Sequence, residues 1–506
     1  MKNPHSPLNF LSFPFLFSSF LFLVVVFKAA KSRARKLPPS PRKLPIIGHL
    51  HHLRGNVHHR ALRDLSRRHG PVMYLKLGQV DHVVISSPEA AREIMQTHDL
   101  IFATRPRLLI PEMLHHCTDI AFAPYGNYWR QLRKICIVEL LSAKRVKAFA
   151  TPQQEEISNL VGNISMLNKS PVNLSEKLSL LTNGVISRVA CGRTCKHGQR
   201  IISACKKLTA LASGFCVADL FPSFGFIDTL SGLRSASANA RRELDEILED
   251  IIKEHQEKRA ATNSNKGDDQ REEDLVDVLL GLKENGGLEF PLTHTNIKAV
   301  IMDMFFAGTD TSSETMVWAM AELMKQPEVM EKAQAEVRRV LKGKAKIEEG
   351  DMSEFHYMKL VIKETLRLHP PVPLLLPRVC TKSCQVDGYD IPVGSRVMIN
   401  AWAIGRDPRY WEDPESFKPE RFEGSSVDFV GGSFELVPFG GGRRICPGMN
   451  FGLAEMELFL SHLLYYFDWK LPNGMGPDDV EMTETFGSTV GRKSPLCLIA
   501  TPYVPI

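Results

Sequence analysis

The chain has 506 residues, 43% hydrophobic and 24% charged, with ten cysteines. That composition excludes a disordered or fibrous chain, and the length suits one large domain or two ordinary ones. The net charge of +6 is confined to one end, because residues 1–45 carry eight Lys/Arg and no acid while the rest holds 55 basic and 57 acidic groups, so no nucleic-acid face is expected.

The first segment reads as a membrane anchor. Residues 8–27 are 20 uncharged positions, 15 of them Leu, Phe or Val, long enough as a helix to cross a bilayer core of ~30 Å. A cleaved signal peptide is the alternative. Against it, only Lys2 precedes the stretch while Lys28, Lys31, Arg33, Arg35 and Lys36 follow, which keeps the body cytosolic. Asn163, Asn168 and Asn173 each begin an N-x-S sequon, and a cytosolic body leaves them unglycosylated. The cysteines form no C-x-x-C pair; Cys191/Cys195 and Cys380/Cys384 have C-x-x-x-C spacing without a nearby His cluster. They are read as reduced.

Pro38, Pro39, Pro41 and Pro45 stiffen the next stretch into a semi-rigid spacer. His49, His51, His52, His58 and His59 follow in a loop without acids or cysteines, and are not read as a metal site. Apolar runs at 74–77 and 83–85, broken by Gly78 and Asp81, predict a hairpin. Ser87-Pro88-Glu89-Ala90 reads as a helix start, and the pattern stays helical to about residue 370. Within it, 243–258 is amphipathic, 260–274 is a polar surface loop, and 297–323 is a long apolar helix. Residues 384–399 read as strands and turns. The order predicts a mainly α chain with a small β portion, in the α+β class.

Two patterns carry chemistry. Phe439-Gly440-Gly441-Gly442-Arg443-Arg444-Ile445-Cys446-Pro447-Gly448 puts one cysteine just before a helical run at 449–466. Glycines permit close backbone approach to a flat ligand, and a helix N-terminus stabilises a thiolate. Such a cysteine suits an axial bond to haem iron; a glycine-rich turn with a buried cysteine fits the spacing equally. In the long helix, Gly308-Thr309-Asp310-Thr311-Ser312-Ser313 interrupts an apolar run. Thr311 can bond a carbonyl one turn back and open a groove for O2 and water, with Asp310 a proton-relay candidate. A break between two core helices is the alternative.

Phe439, Gly442, Arg444, Cys446 and Gly448 match the F-x-x-G-x-R-x-C-x-G haem signature, and here the chain resembles the cytochrome P450 enzymes. Four further motifs stand in that family's order: Trp129-Arg130-Gln131-Leu132-Arg133, Ala307-Gly308-Thr309-Asp310-Thr311, Glu364-Thr365-Leu366-Arg367 and Pro419-Glu420-Arg421-Phe422. The wording is similar to the plant microsomal A-type group. The resemblance covers roughly residues 37–506 and implies a P450 fold behind a transmembrane helix. It divides the chain into an anchor helix (1–27), a basic Pro-rich linker (28–50) and a haem-binding catalytic domain (51–506).

The resemblance implies these roles. Cys446 is the iron ligand, with Phe439 and Gly448 beside it. Trp129, Arg133, Arg378 and Arg444 meet the haem propionates. Thr311 and Asp310 relay protons. Glu364, Arg367 and Arg421 form a structural brace. Phe102, Leu109, Phe215, Phe305, Ala307, Leu374 and Phe486 line the substrate pocket. The implied enzyme is a monooxygenase in the endoplasmic reticulum membrane, single-pass, with its catalytic domain in the cytosol. It oxidises an apolar small molecule of plant specialised metabolism with O2 and electrons from NADPH. No G-x-G-x-x-G or G-x-x-x-x-G-K-[ST] motif is present, so a separate reductase is the implied partner. The mostly uncharged pocket positions favour a terpenoid over a phenylpropanoid or flavonoid. A haem-thiolate isomerase or dehydratase and a haem sensor are the rivals, and intact Asp310-Thr311 argues against both.

Overall fold

The structure, a computed structural model, describes residues 36–503 apart from 54–56, 143–144, 146, 148, 168, 193–197, 214–215, 265–272, 343, 345–346, 348, 430–431, 486 and 488. The expected anchor at 8–27 lies outside the described residues, among which no helix is long and apolar enough to cross a membrane.

Helix α1 (His58–His69) leads into a hairpin of β1 (Val72–Leu77) and β2 (Val80–Ile85). The pairing is antiparallel with Leu77 opposite Val80, so the turn falls at Gly78 as the sequence predicts. The Pro-rich segment does not stand off as a spacer. It is docked on β1, with the Tyr74 N–H donating to the Pro39 carbonyl at 2.9 Å and the His49 N–H to Lys76 at 2.8 Å. The Ser87 hydroxyl caps the Pro88–Arg92 helix by accepting the Ala90 N–H.

The helical body follows: α2 (Asn127–Ile135), α3 (Ala150–Ser165), the short strand β3 (Pro171–Asn173), α4 (Leu174–Cys191), α5 (Gly198–Ser213), α6 (Leu233–Ser264), α7 (Leu275–Asn285) and α8 (His294–Lys325). Residues 260–264, expected in a loop, are instead the last turn of α6, and 265–272 lie outside the described residues. Then come α9 (Pro327–Val340), α10 (Tyr357–Leu368), β4 (Arg378–Val379), β5 (Cys384–Val386), β6 (Tyr389–Ile391), β7 (Arg396–Ile399), α11 (Met449–Tyr466), β8 (Phe467–Lys470) and β9 (Cys497–Pro502).

Helix α8 is the axis of the body. A capping box between Thr293 and Asn296 starts it, and it packs against α4, α10 and α11. The contact with α4 is close because residue 308 is glycine: a Cβ there would lie 2.5 Å from Ile186 Cδ1. The Thr182 hydroxyl of α4 donates to the Thr309 carbonyl across the same contact at 3.2 Å.

The main sheet has the order β1-β2-β7-β4. β7 lies parallel to β2, with His82 opposite Arg396, and β4 pairs antiparallel with β7. This pairing ties residues 378–399 to the first hairpin and sets Arg378 at the sheet's inner edge. Among the described residues no cysteine is disulfide-bonded, and six are buried.

Candidate active site

The Cys446 loop is built by its neighbours. A 3-10 turn at Gly442–Arg444 precedes it, and the Cys446 N–H donates to the Phe439 carbonyl at 3.0 Å. Phe439 packs edge-on against Phe429. Gly440 and Gly442 have φ of 71° and 64°, a region L side chains rarely adopt. The sequence reading assigns the glycines to close approach of a flat ligand. At Gly442 the close approach is to protein: a Cβ would lie 2.1 Å from the Met95 carbonyl oxygen. Gly442→Ala should therefore cost at least ~2 kcal/mol through overpacking and left-handed strain, read as a lower Tm together with poor haem retention.

The Cys446 side chain is exposed, yet desolvation pushes its thiol up, opposed by the Gly448 N–H and by Arg133. Exposure combined with desolvation places the thiol in a hollow enclosed by protein. Ala307, in the middle of α8, is likewise exposed although that helix is wrapped by neighbours. Helices α8 and α11 touch at Ser312 and Gly452, which brings the 307–311 turn and the Cys446 loop onto adjoining helices.

Arginines crowd this hollow. Arg133 donates to the Ile445 carbonyl at 2.7 Å, and Arg378 to the Gly441 carbonyl at 2.8 Å. Arg444 bonds the Ala103, Ile120 and Ala123 carbonyls and lies over the Trp129 ring at 4.0 Å. The Trp129 indole N–H is committed to the Ile120 carbonyl at 3.0 Å, so its aromatic face is what it offers the site. Arg105, absent from the sequence assignments, bonds the Ala121, Leu376 and Pro377 carbonyls. Arg107 stands two positions on, so the sequence offers no signal that singles Arg105 out.

Burial holds the Arg444 guanidinium down to about 9, with Arg378 and Arg133 adding to the effect. Arg378 is held down to about 10, mainly by burial. Asp99 is paired with Arg443 at 2.8 Å, and burial pushes Asp119 up. The cations thus outweigh the acids, and buried Arg378 Nη1 makes no hydrogen bond, only a long ion pair with Asp99 at 3.8 Å. A buried donor without a hydrogen bond, beside clustered cations, suits an anionic ligand. A lone thiol in an enclosed hollow and a surplus of buried cations fit haem, which presents one metal and two carboxylates.

On α8 the Thr311 hydroxyl donates to the Ala307 carbonyl. The helix is continuous through this turn, so the expected groove is an exposed Ala307 rather than a break. Burial raises Asp310, which faces Lys206 of α5. On α10, Glu364 accepts two parallel bonds from Arg367 at 2.7 Å each, with both side chains fully buried. Arg421 adds a third at 2.9 Å, and the Lys418 N–H a fourth at 2.7 Å.

The pocket expectations fare unevenly. Phe102 is fully buried in the cluster under the sheet, beside Met95 and Val397, and Phe305 is buried in the main core. Leu109 and Leu374 are half-buried at the margins of their clusters. Phe215 and Phe486 lie outside the described residues. In the His-rich stretch, His49, His51 and His52 bond backbone carbonyls and His59 meets Glu484.

The family model described as Cytochrome P450 matches residues 38–497. Premnaspirodiene oxygenase of Hyoscyamus muticus is 52% identical over 97% of this chain and 98% of its own length. Desmethyl-deoxy-podophyllotoxin synthase of Sinopodophyllum hexandrum is 53% identical over 98% of each chain. 5-epiaristolochene 1,3-dihydroxylase of Nicotiana tabacum is 49% identical over 97% and 98%. A zebra fish cytochrome P450 solved with progesterone superposes with a TM-score of 0.74 at 25% identity, over 88% of this chain and 99% of that one.

Proposed function

The chain belongs to the cytochrome P450 family, and from that premise we propose that it hydroxylates a terpenoid hydrocarbon at a site framed by Cys446 on one side and the Ala307–Thr311 turn on the other. It is a haem-thiolate monooxygenase. The observation that carries the site assignment is the enclosed Cys446 thiol beside buried, under-compensated arginines. Haem, when bound, supplies the redox chemistry that places one atom of O2 in the substrate and sends the other to water, using two electrons from NADPH through a separate reductase.

The protein's own residues do the rest. Cys446 would ligate the iron and Arg105, Arg133 and Arg378 would balance the propionates, while Trp129 and Arg444 hold the 103–123 segment in place. Thr311 holds a proton at Oγ1 on the hollow's wall, and Asp310 supplies it from the α5 side. Two of the three plant relatives are named for an -ene or -diene substrate, which supports an olefinic terpenoid.

The membrane is the second proposed partner. Ile46 is 82% exposed, Phe226 60% and Leu230 79%. The segments carrying them adjoin through the Gly78 N–H on the Ile47 carbonyl and the Gln79 N–H on the Leu220 carbonyl. An apolar surface there suits a body seated on the endoplasmic reticulum membrane.

The direct test reconstitutes the full chain with haem and a microsomal reductase. Terpenes and flavonoids are screened by substrate-binding spectra, followed by product analysis. Terpene hydroxylation coupled to NADPH is expected. Turnover of a ligand without NADPH would establish an isomerase or dehydratase instead, and binding without turnover a sensor. Thr311→Val should leave the thiolate spectrum and substrate binding intact. Its product per NADPH should fall roughly tenfold or more, with hydrogen peroxide rising to match.

A further inference from the structure

Helix α8 carries an acid that the site above leaves unused. Glu314 lies four residues after Asp310, so the two carboxyls share one helix face a turn apart. Facing them from α5 is Lys206, exposed to solvent, whose charge acts on both. The third wall is formed by residues 490–492. The Arg492 N–H donates to the Glu314 carboxylate, and a Cβ on Gly491 would lie 2.2 Å from Glu314 Oε2. That turn is itself latched to the body. The Val490 N–H donates to the Pro371 carbonyl at 2.9 Å, and the Trp318 indole N–H reaches the Val490 carbonyl at 3.4 Å.

Glu314 is therefore held half-buried in one place, between Asp310 and the solvent edge that Lys206 marks. The charged groups that face it are Asp310 on its own helix, Lys206 on α5 and Arg492 on the turn. A carboxyl fixed by backbone, one turn from a second carboxyl and open to water on the far side, is a stepping stone for protons.

We propose that Glu314 is the outer member of the proton path, passing a proton inward to Asp310 and taking its replacement from solvent beside Lys206. The inference rests on the Asp310–Thr311 relay proposed above. In each transfer the O–H bond of the Glu314 carboxyl breaks and one forms on the Asp310 carboxylate. The negative charge moves from 310 to 314, where Lys206 and the Arg492 N–H hold it until water returns the proton. No electrons move. Burial, with Asp310 adding to it, pushes the Glu314 carboxyl up to about 7, so it is loaded below neutral pH and empties above it.

The test uses the full-length holoenzyme with its reductase. Glu314→Gln keeps an acceptor for the Arg492 N–H and cannot pass a proton. It should retain the ferrous-carbonyl spectrum and substrate binding, while turnover falls about tenfold and loses the parent's decline above neutral pH. Glu314→Asp should restore part of the rate. Infrared titration supplies a readout apart from activity: a protonated carboxyl band that titrates near neutral pH in the parent should be missing from Glu314→Gln. Parent-like turnover and pH response in Glu314→Gln would overturn the proposal. So would a loss of the carbonyl spectrum that Glu314→Asp fails to restore, since that marks a structural part only. Asp310→Asn and Thr311→Val run alongside. If both couple normally, the inner relay is wrong; if they fail while Glu314→Gln matches the parent, only the outer step is wrong.

Discussion

Cys446→His should abolish monooxygenase turnover and move the ferrous-carbonyl Soret band from its red-shifted thiolate position to that of a nitrogen-ligated haem. The reasoning starts from the loop. The Phe439 carbonyl fixes the Cys446 backbone, and Arg133 fixes the Ile445 carbonyl next to it. With the backbone so held, the exposed side chain faces the hollow. Desolvation opposes a free thiolate there, so the charge becomes stable when a metal shares it. Imidazole can ligate iron but is neutral and donates less electron density than a thiolate, so the histidine variant should hold haem without productive oxygen chemistry. The checks are haem content, the carbonyl spectrum and product formation on one preparation. A red-shifted spectrum in the variant would place the ligand elsewhere.

The second large effect is expected at Glu364. Its carboxylate accepts from Arg367, Arg421 and the Lys418 N–H, and its side chain has no exposure. Arg367 also bonds the carbonyls of Gly405, Pro414 and Ser416. These contacts tie α10 to the long irregular stretch between β7 and the Cys446 loop. Glu364→Ala leaves the buried Arg367 guanidinium facing a gap, and removing one partner of such a pair costs ~3–5 kcal/mol. That is a large share of the ~5–15 kcal/mol a folded domain commands. Low soluble yield, a reduced Tm and sub-stoichiometric haem are expected. Glu364→Gln keeps the shape and an acceptor oxygen, and should fall between the two. A soluble, fully haem-loaded Glu364→Ala would show that the carbonyl contacts alone support Arg367.

The features legible in the sequence are those whose physics is local. The hairpin turn at Gly78, the Ser87 cap, the 449–466 helix and the Glu364/Arg367 pair each depend on residues within a few positions of one another. Backbone propensity and helix periodicity fix such arrangements before any long-range contact forms. Cys446 and the motifs in family order were likewise readable, because ligand type and spacing survive translation into one dimension.

Other outcomes needed the whole fold. The clusters that bury Phe102 and Phe305 were not legible, since the partners that cover an apolar side chain come from distant segments. Arg105 joins the cationic cluster only because residues 376–377 and 121 fold against it. Gly442 is required by Met95, more than 300 positions away in the chain, and Glu314 gains its meaning from the returning turn at 490–492. The sequence by itself thus determined the helical class, the family motifs around Cys446 and the Glu364/Arg367 pair. Tertiary structure alone decided which arginines share one charge field and which glycines are steric necessities, because both depend on distances between segments that local propensity does not set.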